Sequence, residues 1–194
     1  HSYAAGEWIA PDSSARPIEN AVTGAIMAQA GTSALPVGSM LDYARTRGGP
    51  ALRALTFHDR AKMLKGLAQH LGEHKQALYD LSFATGATQR DHLIDIDGGI
   101  GTLFVYASKG RRELPDAQVD LEGDVEQLSR NGTFVGQHIC TPLHGAAIHI
   151  NAYNFPVWGM LEKLAPAILA GVPVIVKPAT STSYVTELAV RQIL

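Results

Sequence analysis

The sequence predicts an α/β fold, and three features of its last third carry that prediction. Residues 145–150 (Gly-Ala-Ala-Ile-His-Ile) form an apolar strand signal, and residues 172–176 (Val-Pro-Val-Ile-Val) form a β-branched run. Between them lies a helical stretch over about residues 156–170, stopped by Gly171 where a left-handed cap is needed. Strand, helix and strand with links this short imply a right-handed βαβ crossover. The β-branched run is the kind a parallel sheet buries on both faces.

The earlier elements follow in order. The first 35 residues are rich in Gly, Ala, Ser and Pro, with short strand signals at residues 7–10 and near Ile26-Met27. Thr56 precedes Asp59 by three residues, a helix-start pattern in which each side chain can satisfy a free backbone N–H. Phe57, Ala61, Leu64, Leu67, Ala68 and Leu71 then recur at helical spacing and define one apolar face. A second helix is expected over residues 75–84, ending near Gly86. A third is expected from Thr88 towards Ser108, with Ile94, Leu103, Phe104 and Tyr106 facing inward. Residues 109–132 are charged and broken by Pro115 and Gly123, and read as a surface excursion. Residues 133–140 alternate as a half-exposed strand. A last helix begins after Pro178 and includes Tyr184, Leu188 and Val190. The sequence stops at Leu194 inside that helix with two parallel strands laid down, so the domain is expected to be incomplete.

Composition narrows the function classes. The 194 residues are 46% hydrophobic and 18% charged, as in globular soluble proteins. A formal net charge of -2 offers no broad basic field for nucleic acid or an anionic membrane. No apolar run reaches the roughly 18 to 20 residues a membrane helix needs. His1-Ser2-Tyr3 lacks the basic-then-apolar opening of a signal peptide, and the single Cys140 rules out an internal disulfide framework. The expected compartment is the cytoplasm.

In open α/β sheets, ligands bind beyond the carboxyl ends of the strands. Two segments meet that condition: Asn151-Ala152-Tyr153-Asn154-Phe155-Pro156 after the first strand, and Lys177-Pro178-Ala179-Thr180 after the second. A helix start offers free N–H groups and a partial positive charge, and Lys177 adds a full one. Together they can seat phosphate or ribose hydroxyls; the competing reading is a turn with a solvated lysine. Other candidates fail. Cys140 lies in an alternating strand with no elbow motif around it and reads as structural. His138, His144 and His149 are irregularly spaced with no ligand pattern, so no metal is expected. Gly98-Gly99-Ile100-Gly101 follows no strand and is no dinucleotide fingerprint. No Gly-x-Ser-x-Gly turn supports a serine hydrolase.

The stretch Asn154-Phe155-Pro156-Val157-Trp158-Gly159-Met160, continuing through Val172-Pro173-Val174-Ile175-Val176-Lys177-Pro178-Ala179, resembles the aldehyde dehydrogenase superfamily. The upstream helices and Gly98-Gly99-Ile100-Gly101-Thr102-Leu103-Phe104 resemble more narrowly the ring-opening branch that degrades phenylacetate or benzoate as coenzyme A thioesters. The resemblance covers nearly the whole chain. It implies the N-terminal part of a Rossmann-like cofactor domain, with a helical N-terminal region over residues 1–132 and an oligomerisation strand over residues 133–144. The first βαβ part of the cofactor domain would then occupy residues 145–194.

The resemblance also implies roles. Asn154 matches the asparagine whose amide stabilises the oxyanion formed when a thiolate attacks the aldehyde, whereas the residues alone favour a cap for the following helix. Asn151, Ala152 and Tyr153 match backbone positions lining the nicotinamide end of the cofactor; Tyr153 stands where Trp is common. Lys177 matches the lysine on the adenosine ribose, with Ala179 and Thr180 in the same cofactor turn. Many NAD-preferring relatives carry Glu at the position of Thr180. A neutral residue followed by Ser181, Thr182 and Ser183 implies that NADP is accepted and preferred, with NAD as the alternative. Phe155, Gly159 and Lys163 match the substrate tunnel. Gly159 either widens it for a long acyl-coenzyme A semialdehyde or permits close helix packing, and Glu162 reads as part of a solvated pair with Lys163.

The expected parent is thus an NADP-dependent dehydrogenase oxidising an acyl-CoA semialdehyde to a carboxylate, and a homodimer. The family's nucleophilic cysteine and general-base glutamate come later than these residues, so the chain alone is expected to be inactive. The rival expectation is a non-catalytic nucleotide-binding or dimerisation module. The whole reading requires that the Asn154 and Lys177 turns open side by side on one rim.

Overall fold

Thr56 opens the longest element of the computed structural model, which describes residues 1–32 and 35–194. Its hydroxyl accepts the Asp59 N–H at 3.1 Å and starts the helix α3 (Phe57–Ser82), after the shorter α1 (Val37–Tyr43) and α2 (Gly49–Arg53). Phe57, Ala61, Leu64, Ala68 and Leu71 are buried along it as the spacing predicts, and Leu78 continues the stripe. The two helices expected here are one element of 26 residues. Gly72 lowers helix propensity by about 1 kcal/mol but leaves the i→i−4 bonds intact, so the apolar stripe carries the helix through. A 3₁₀ turn (Phe83–Thr85) follows it and stops, as expected, at Gly86, whose φ of 84° is left-handed.

Thr88 and Asp91 form a reciprocal capping box that starts α4 (Gln89–His92). A π-helical turn (Leu93–Asp97) joins it to α5 (Gly98–Glu113), which runs past the expected end at Ser108. The wider turn rotates the inward face. Asp95, Ile96, Gly99, Ile100, Leu103 and Ala107 point inward, whereas Ile94 and Phe104, expected inside, are 39% and 41% exposed. Tyr106 packs half-buried against the core. Asp97 accepts hydrogen bonds from Lys75 and Tyr79 and ties this turn to α3.

β1 (Ser2–Ala4) pairs antiparallel with β2 (Glu7–Ile9), and β3 (Arg16–Glu19) with β4 (Ile26–Ala30). β2 and β4 carry the two predicted strand signals; β1 and β3 were not anticipated. The expected excursion over residues 109–132 contains the end of α5 and a strand, β5 (Asp120–Gln127), paired with β6 (Val135–Cys140). Leu121 and Val125 alternate in β5, but the acidic residues between them mask the pattern. Both strands are largely exposed.

β7 (Ala147–Ile150) and β8 (Val174–Lys177) pair in parallel, with α6 (Pro156–Leu169) as the crossover and α7 (Ser183–Ile193) following. Gly171, with φ of 80°, makes the predicted stop after α6. Burial on both faces of this sheet is not observed. His149 and its register partner Val176 face the helical layer, while Ile148 and Ile150 are 56% and 73% exposed. Within the described residues only one face is covered, by α6 and the helices behind it. The core lies where α3, α5, α6 and α7 meet. No described helix is long and apolar enough to cross a membrane.

Candidate functional site

The parallel register sets Ile150 beside Lys177, so the turns after β7 and β8 leave from adjacent positions at one end of the sheet. The Asn151 N–H donates to the Lys177 carbonyl at 3.1 Å. Thr182 in the second turn donates through Oγ1 to the Tyr153 carbonyl in the first, also at 3.1 Å. Thr186 Oγ1 reaches the Pro156 carbonyl at 3.4 Å. The two turns therefore share one rim, as the sequence reading requires.

Asn154 is exposed on that rim. It does not cap α6: the cap position falls on Phe155, with no side-chain cap bond. The free N–H groups of the first turn instead go to Asp95, whose Oδ1 accepts from Val157 at 3.0 Å and Trp158 at 2.7 Å. An anionic acceptor at a helix start is favoured by the dipole. Asp95 is only 3% exposed, and burial pushes its pKa up to about 6 against the two N–H bonds, which favour the charged form. Sequence reasoning missed this residue. The available signal is that Asp95 precedes Gly99 by one helical turn, on the face that meets α6. A Cβ at Gly99 would lie 2.9 Å from the Trp158 Cα, so glycine lets α5 approach the start of α6 closely enough for Asp95 to reach it.

Of the other residues in the first turn, Ala152 and Tyr153 are exposed and Asn151 is buried. The Asn151 side-chain amide finds no hydrogen-bond partner among the described residues. Phe155 is half-buried, its ring 6.2 Å from that of Trp158. Gly159 stands opposite Asn151: an added Cβ would meet the Asn151 Cβ at 3.8 Å and the Lys163 Nζ at 4.0 Å, ordinary contact distances. Gly159 thus leaves space beside the Asn151 amide and does not serve a tight helix crossing. Lys163 donates to the Gly159 carbonyl at 2.9 Å and pairs with Glu162 at 3.2 Å, the solvated pair expected. Burial, then the Lys163 charge, lowers the pKa of His149 on β7 and so favours the neutral imidazole.

In the second turn, Lys177 is exposed and donates to the Pro178 carbonyl at 3.0 Å. Ala179 is extended, and Thr180 begins a single 3₁₀ turn (Thr180–Thr182) whose carbonyl at Thr180 accepts from Ser183 Oγ at 2.9 Å. From Lys177 to Thr186 the sequence holds no acidic residue. The next one, Glu187, is engaged by Arg191 at 2.8 Å. The turn therefore carries one ammonium and no carboxylate.

Two of the rejected candidates lie on the hairpin strand β6. Cys140 is exposed on β6, and His138 on the same strand sits 3.5 Å from Glu122.

Residues 8–194 match the model of the aldehyde dehydrogenase family. Over all 194 residues the chain is 39% identical to 3,4-dehydroadipyl-CoA semialdehyde dehydrogenase of Aromatoleum evansii, covering 38% of that protein. It is 29% identical over 156 residues to the NADP-dependent succinate-semialdehyde dehydrogenase of Escherichia coli, covering 76% of this chain and 30% of that one. Among solved structures, lactaldehyde dehydrogenase from Escherichia coli superposes with a TM-score of 0.80 at 19% identity, over 97% of this chain and 38% of that one. The chain spans between about a quarter and two fifths of the length of the curated relatives it matches. A rim joining an Asn-Phe-Pro turn to a Lys-Pro-Ala turn, an α/β fold shared with such enzymes and a family match from Trp8 to Leu194 agree: the chain belongs to the aldehyde dehydrogenase family.

Proposed function

We propose that the complete protein oxidises a coenzyme A-linked semialdehyde to the carboxylate with NADP, and that residues 1–194 supply its oxyanion donor and much of its cofactor seat. The observation that carries this reading is the shared rim, where the Asn151 N–H and the Thr182 hydroxyl lock the Asn154 and Lys177 turns together. When bound, the nicotinamide would supply the hydride acceptor. The Asn154 amide donates to the oxygen that becomes negative when a thiolate adds to the aldehyde carbon, and Asp95 holds the turn that aims it. Asn151, Ala152 and Tyr153 line the nicotinamide end. Lys177 and Ala179 hold the adenosine ribose, and Thr180 with its neighbouring hydroxyls accommodates the 2′-phosphate. Phe155, Gly159 and Lys163 form one wall of the substrate tunnel, with Gly159 leaving room for a long acyl chain.

This stretch contributes neither the nucleophilic cysteine nor the general-base glutamate of the family, so residues 1–194 alone should turn over no aldehyde. The exposed β5–β6 hairpin extends the proposed bridging element back from residue 133 to Asp120, and suits pairing in a homodimer. A single cysteine suits the reducing cytoplasm.

Assaying the full-length protein against coenzyme A-linked and free semialdehydes with both nicotinamides tests the reading. The expected result is a higher kcat/KM for the thioester-linked substrate with NADP. Equal turnover of small free aldehydes would refute the substrate assignment.

A further inference from the structure

His70, Glu73 and His74 stand on the exposed side of α3, and one ligand atom from each lies within 4.8 Å of the other two. Residues three and four apart share a helix face, so the helix itself groups them. The two imidazole rings are 4.3 Å apart, centroid to centroid. Each ring is held through one nitrogen by a backbone carbonyl: His70 Nε2 at 2.9 Å from the Gln192 oxygen, His74 Nδ1 at 2.8 Å from the His70 oxygen. A carbonyl only accepts, so those two nitrogens carry the protons when the rings are neutral. The lone pairs are then left on His70 Nδ1 and His74 Nε2. Carbonyl bonds of this kind fix the tautomer and orientation of imidazoles that bind metals. The Gln192 side chain donates in turn to the His74 carbonyl at 3.0 Å, so the last turn of α7 supports the cluster from outside α3.

We propose that His70, Glu73 and His74 form a site for a divalent transition-metal ion of the zinc class. Two imidazole nitrogens and one carboxylate select such an ion over magnesium or calcium, which take oxygen ligands, and water completes the coordination. The order His-x-x-Glu-His also occurs in zinc hydrolases. Here all three side chains are exposed, and the assignment is to binding alone. The site is independent of the dehydrogenase chemistry. It joins α3 to α7, the helix whose other end follows the Thr180 turn.

Titrating zinc into the full-length, tag-free, chelator-treated protein by calorimetry tests it, with wild type, the double variant His70→Ala/His74→Ala and Glu73→Gln compared. Wild type should bind one equivalent more than the double variant, and Glu73→Gln, which leaves both carbonyl bonds in place, should weaken that equivalent roughly tenfold. Identical stoichiometry and affinity in wild type and Glu73→Gln would overturn the proposal, as would a double variant that folds normally in chelator and still binds the same number of ions.

Discussion

At the head of α6 two side chains could cap the helix, and only one does. Asp95 accepts the Val157 and Trp158 N–H groups, which leaves the exposed Asn154 amide free to donate elsewhere. Replacing Asn154 with Ala in the full-length enzyme should lower kcat by about 10²–10³-fold, with an unchanged unfolding midpoint. Asp95→Ala strands one buried and one half-buried N–H group, and chemical denaturation should show a loss of roughly 2–4 kcal/mol. Asp95 also sets a pH dependence. Its folded pKa of about 6 lies above the ordinary carboxylate value of 3.8. The folded state therefore holds the proton more tightly than the unfolded chain. The stabilisation is fully present below about pH 4 and is lost as pH rises through about 6, amounting to about 3 kcal/mol. Asp95→Asn should flatten the slope of stability between pH 4 and 6; a retained slope would assign the titration to another group. The place of Asn154 on the rim was legible because it lies in the short link between a strand and a helix that are contiguous in sequence. Asp95 was not, because its contact with α6 crosses 62 residues of sequence to Val157.

Elements place those residues through close approach. Gly99 lets α5 meet the backbone of α6 at Trp158, and a Cβ there has backbone atoms at 2.9 and 3.1 Å that cannot yield as a flexible side chain would. Gly99→Ala should cost roughly 1–3 kcal/mol in denaturant unfolding, and should reduce kcat in the full-length enzyme by shifting the Asn154 turn. A wild-type midpoint would show that the helices can separate freely. Helix periodicity located the first half of α3, where one continuous apolar stripe is hidden. It failed at the π-helical turn Leu93–Asp97, where the period itself changes and moves Ile94 and Phe104 outward. β5 escaped detection because its alternation is carried by Leu121 and Val125 amid acidic neighbours.

For the molecule as a whole, the βαβ crossover was legible from Val174-Ile175-Val176, Gly171 and the short links, since handedness and parallel pairing leave few alternatives. The open face of the sheet was not. A β-branched run reports that a strand can be buried on both sides, whereas Ile148 and Ile150 show one side uncovered within these residues. The shared rim depends on pairing alone, and it survives that difference. Its most direct test is the pair of dissociation constants for NADP and NAD, measured for the full-length protein and its Thr180→Glu variant. Wild type should bind NADP at least as tightly as NAD. The added carboxylate should weaken NADP relative to NAD by about tenfold or more, the effect of like charges a few ångströms apart near a protein surface. An unchanged ratio would mean that the 2′-phosphate does not sit at the Thr180 turn, and the assignment of this rim as the cofactor seat would be wrong.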